Sequence, residues 1–136
     1  MRRIMISISA AILLSAASTA SAQEAMPKAC SGGHTGHMMG QEMPGMDMSG
    51  MGDMQKAYME GMNKMNAMMM PGMMAEDPDV AFICGMIAHH QGAIDMAKVQ
   101  LQYGKDQWAR DLAQKIIDAQ TQEIADMTKW LGEHSK

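Results

Sequence analysis

His34, His37, Met38, Met39, Met43, Met46, Met48, Met51 and Met54 fall within one short stretch that glycines and a proline keep from any helical or strand period. A thioether is a neutral, soft donor that prefers Cu(I) or Ag(I) to harder divalent ions. It gives up no proton on binding, whereas a cysteine must lose one. Outside the cytoplasm a cysteine cluster would also tend to oxidise into disulfides. Steps of two and three residues, as in Met43, Met46, Met48, Met51 and Met54, let several sulfurs wrap one ion, and the intervening glycines let the backbone follow. His34 and His37 add imidazoles that suit Cu(II) as well as Cu(I).

A second group of donors lies in "MIAHHQGAIDMA", Met86 to Ala97. Met86 and His90 are one helical turn apart, as are Glu123 and Met127 further on. His90 and Gln120 each fall at the centre of a face that must pack, and a polar group left unpartnered there costs about 1–3 kcal/mol. The expected result is either a buried hydrogen-bond network or a mixed N/S/O metal pocket between the helices that carry them, built from Met86, His90, Glu123 and Met127.

Three helices are predicted to position these groups. Met54, Tyr58, Met62, Met65 and Met69 recur at three- and four-residue steps, which marks one face of a helix that Pro71-Gly72 ends. At helical spacing such a stripe is core packing by default, and it doubles as ligand only if it faces a metal. Asp77 with Pro78 is an N-cap and first-turn pair, and Gly104 is a stop, so a second helix is expected to about Tyr103. Its apolar face is read as Phe82, Ile83, Met86, His90, Ala93, Ile94, Ala97 and Leu101, with Cys84 projecting away from the core. Asp106 opens a third helix to about Glu133, whose apolar face runs from Ala109 through Leu112, Ile117 and Ile124 to Leu131. The fold class is therefore all-α: an up-and-down helical bundle. A fourth helix is left to a second copy of the chain or to part of the tail.

The organisation along the chain follows. Arg2 and Arg3, an apolar run from Ile4 and Ala20-Ser21-Ala22 form a secretory signal over residues 1–22. Residues 23–52 are a flexible Met/Gly/His-rich tail, and residues 53–136 the bundle. Loss of Arg2 and Arg3 with the signal takes the formal charge from −4 to −6, which disfavours nucleic acid and suits cations. No membrane span is expected in the mature form. Cys30 and Cys84 could pair in an oxidising compartment; the sequence leaves their state open.

The stretch from Asp77 to Leu131 also resembles the exported CopM-like family, long catalogued as a domain of unknown function. The matching elements are D-x-x-F at Asp79 to Phe82, M-I-x-H-H-Q-G-A-I-x-M-A at Met86 to Ala97, and A-Q-x-x-E-I-x-x-M-x-x-W-L at Ala119 to Leu131. The resemblance implies a ferritin-like bundle in the periplasm and copper binding through Met and His in copper resistance, with His89 and His90 as the family's histidine pair and Met86 and Met96 beside it. That family usually has proline before the pair, where this chain has Ala88.

The function expected from these readings is a non-enzymatic periplasmic binder of Cu(I), with Cu(II) and Ag(I) as further cargoes. It would act as buffer or chaperone toward a copper exporter or copper oxidase, and a homodimer is one option for its assembly. A cuprous oxidase and a Met-rich protein-interaction module are the alternatives. The di-iron alternative is disfavoured because the chain has no Glu-x-x-His.

Overall fold

The computed structural model describes residues 26–31 and 48–134. Three α-helices make up most of it: α1, Asp53–Gly72; α2, Pro78–Tyr103; and α3, Gln107–His134. No strand occurs among the described residues. The architecture is an all-α, up-down-up bundle, as expected.

The helix ends are set by the residues that the sequence marks for them. Asp77 Oδ1 accepts hydrogen bonds from the backbone N–H of Asp79 (2.8 Å) and of Val80 (3.1 Å), with Pro78 in the first turn. Asp106 Oδ1 does the same for Ala109 N–H at 2.9 Å. At the other end of α2, the Arg110 guanidinium donates to the carbonyls of Leu101 and Gly104, which takes up acceptors that a helix C-terminus leaves unpaired. The short turns so fixed hold α1 and α3 antiparallel to α2.

α2 is the central element, and α1 and α3 pack on opposite sides of it. His90, Ile94 and Ala97 are buried toward α3, while Gly85, Ala88 and Gly92 are buried toward α1. The close approach of α1 depends on small residues: a Cβ at Gly92 would stand 2.5 Å from the Met65 Sδ, and one at Gly85 3.3 Å from the Met73 Cγ. Methionine thus packs into glycine notches along this seam.

Three expectations need correction here. Cys84, expected to project from the core, is fully buried. A helix packed on both sides buries residues that a single-face reading would assign to solvent. Conversely, Phe82, expected in the core, is 63% exposed, and Leu112 is 41% exposed, because the three helices form a layer and no further helix among the described residues lies over the flank that carries them. Finally, Met26–Ser31, within the segment expected to be a flexible tail, form a 3-10 turn at Lys28–Cys30. Cys30 makes a disulfide with Cys84, and Met26 and Ala29 pack on the core made by Val80, Ile87, Ile94, Ile124 and Leu131.

The disulfide also fixes where the Met-rich segment begins and ends. Cys30 is held beside Gly72, whose Cβ position lies 2.8 Å from the Cys84 Cβ, at the C-terminal end of α1. Residues 48–52 lead into the N-terminal end of the same helix. Twenty residues at 1.5 Å rise separate the two anchors by about 30 Å.

Candidate metal centre

The donors predicted on α2 divide between two sites on its opposite flanks. His90 faces α3. It is only 8% exposed, and its Nε2 lies 2.6 Å from Glu123 Oε2. Gln120 Nε2 donates to the same oxygen at 3.4 Å. The two central polar groups of the facing helices are therefore linked through Glu123 rather than directly. His90 Nδ1 is buried with no hydrogen-bond partner among the described residues. Met127 packs against the apolar core beside this pair.

Met86 and His89 lie elsewhere. Together with Met69 of α1 and Met73 just after it, and with Ala81, Phe82 and Gly85, they line an open groove of about 280 Å³ between α1 and α2. Of the expected pocket of Met86, His90, Glu123 and Met127, His90 and Glu123 are paired and Met127 packs on the adjoining core, while Met86, one turn from His90, lines the groove with His89. The two histidine rings, 6.1 Å apart between centroids, mark the boundary between the groups.

The groove's chemistry is soft. Met69, Met73, Met86 and His89 bring three thioethers and one imidazole to the lining of an otherwise apolar space. Among the described residues no three side chains of His, Cys, Asp and Glu come together; the donors that line the groove are mainly sulfur. Met69 belongs to the α1 stripe that the sequence assigns to packing. Met73, in the turn after α1 and 55% exposed, is one further four-residue step beyond Met69, but it lies past the Pro71-Gly72 stop and so outside the predicted helix. Its place follows from Gly85, which admits it against α2.

The other predicted ligands are not gathered at either site. Met96 is 52% exposed and two turns from His89 along α2, and Met54 is exposed at the start of α1. Met51 is half-buried just before α1, and Met48 is in the 3-10 turn at Met48–Gly50. His34, His37, Met38, Met39, Met43 and Met46 lie outside the described residues.

A family model described as "Domain of unknown function (DUF305)" matches residues 12–131. The chain belongs to this family. The match takes in the Met-rich segment and nearly all of the three helices, so in this DUF305 member the groove and the His90–Glu123 pair both fall within the family's extent. No curated protein matches the chain. No helix among the described residues is long and apolar enough to cross a membrane.

Proposed function

We propose that this chain is an exported copper-binding protein. It takes up Cu(I), with Ag(I) and Cu(II) as further cargoes, and acts as a non-enzymatic metal buffer or chaperone toward an exporter or oxidase. The observation that carries the reading is that Met69, Met73, Met86 and His89 all line one solvent-open groove. Three thioethers and an imidazole match a soft, singly charged ion. The residues that resemble the CopM-like family point the same way, and the family's His89 and Met86 both line this groove. A buried disulfide is consistent with periplasmic residence, since such bonds persist in oxidising compartments. The donors between His34 and Met46 would add weaker sites.

Competition against bathocuproine disulfonate tests this. The mature chain is expected to hold at least one Cu(I). Replacing Met69, Met73 and Met86 together by Leu keeps volume and apolarity, so the helices should persist while the groove's copper is lost. Full retention of copper by that variant would refute the groove assignment.

A further inference from the structure

The layer of three helices has two flanks, and they differ. The back flank is marked by Met68 of α1, Ile87 and Gln91 of α2, and Ile124 and Thr128 of α3, and Met26 and Pro27 cover part of it. Beside it, Asp95 pairs with Lys64 at 3.6 Å and with Lys98 at 3.8 Å. The front flank is the groove side, and no segment among the described residues covers it. Along α2 it carries Phe82, Met86, His89, Ala93, Met96 and Gln100 at three- and four-residue steps, five turns without a charged side chain. The neighbouring stripe of α1, Met62, Asn66 and Met69, with Met73 just after it, is also uncharged. Glu123, at the α3 edge, is taken up by His90.

We propose that this front flank is the interface of a homodimer, with α2 packed antiparallel on α2 of a second copy across a two-fold axis near His89. Three observations favour a second copy as the occupant. First, the exposed line is self-complementary: Phe82, 63% exposed, and Met96, 52% exposed, each lie seven residues from His89. A two-fold axis at His89 sets Phe82 of each copy against the other's Met96, a sulfur–aromatic contact, and brings the two His89 rings together. Second, the α1 and α2 stripes of this flank carry no charge to repel their own images, the condition that an isologous interface imposes. Third, the size fits. The 26 residues of α2 extend about 39 Å, and three helices about 9 Å apart are about 18 Å across between outer axes, a footprint of about 700 Å² per copy. A stable interface takes about 800 Å² from each partner. The dimer needs no metal, so it stands or falls separately from copper binding. Where copper does bind, the two Met/His grooves lie side by side across the axis.

Sedimentation velocity of the metal-free mature chain, with its disulfide intact, tests the proposal. A dimer is expected, and Phe82→Glu or Met96→Glu should each convert it to monomer with helical circular dichroism unchanged, because both side chains are exposed. His89→Cys should form a disulfide-linked dimer on mild oxidation, whereas Lys98→Cys, on the other side of α2, should not. A monomeric unsubstituted chain overturns the proposal, whatever else covers the face, and so does a dimer that survives Phe82→Glu or fails to link through His89→Cys.

Discussion

Removing the Cys30–Cys84 bond should reach well beyond the two cysteines. The bond closes a loop of 54 residues in the unfolded chain. On the chain-entropy model, opening it lowers stability by about 4 kcal/mol. Cys30→Ala with Cys84→Ala leaves no unpaired thiol or hydroxyl in the core, so the loss is read without a buried polar penalty. In a domain of this size about 4 kcal/mol corresponds to a fall of roughly 15 °C in Tm. The folded state changes too: the turn at Lys28–Cys30 loses its tether, and Met26 and Ala29 leave the surface formed by Val80, Ile87 and Ile124. Urea denaturation followed by circular dichroism, comparing the parent, the double variant and the parent in reductant, measures this. The last two should coincide. A loss below about 1 kcal/mol, well under the chain-entropy figure, would refute the assignment of the N-terminal turn to the core.

The remaining predictions concern packing and the polar pair. Gly72→Ala puts a Cβ 2.8 Å from the Cys84 Cβ, an atom the disulfide holds in place, and overpacking of this kind costs about 1–3 kcal/mol. Gly132→Ala meets nothing within 4 Å on an exposed helical position and should stabilise by roughly 0.5–1 kcal/mol; opposite signs in thermal melts are the check. Glu123→Ala strips the hydrogen bond from His90 Nε2 while Nδ1 is already unpartnered, and should cost about 1–3 kcal/mol in chemical denaturation. His90→Leu combined with Glu123→Ala should recover part of that loss, since no buried polar ring is then left.

Much of the fold was legible. Asp77-Pro78, Gly104 and Asp106 are punctuation with a mechanism: α2 begins and ends, and α3 begins, where those residues put them. The layer arrangement was not. A single-face reading of α2 asks which stripe is apolar, but a central helix has two buried faces, so Cys84 was placed outside and Phe82 inside. The same geometry explains the site. Met86 and His90 share a face in the 100° projection, yet an α1 packed opposite α3 draws Met86 toward Met69 and Met73 and leaves His90 to Glu123. His89, which is not among the residues of the predicted apolar face, is the histidine that lines the groove. Met73 was out of reach because it lies past the Pro71-Gly72 stop; the notch at Gly85 admits it. The role of Cys30 was equally hidden, because pairing over 54 residues depends on tertiary placement and not on spacing.

The groove's chemistry is tested most directly by X-ray absorption at the copper edge on the Cu(I)-loaded mature chain, with His34, His37, Met38, Met39, Met43 and Met46 replaced by Ser. Substitution is needed here rather than deletion, because the segment's ends are about 30 Å apart along α1. A first shell dominated by thioether sulfur with one imidazole nitrogen is expected, and it should vanish in the Met69→Leu, Met73→Leu, Met86→Leu background. A shell of nitrogen and oxygen alone, or copper lost entirely with the segment's donors, would contradict it.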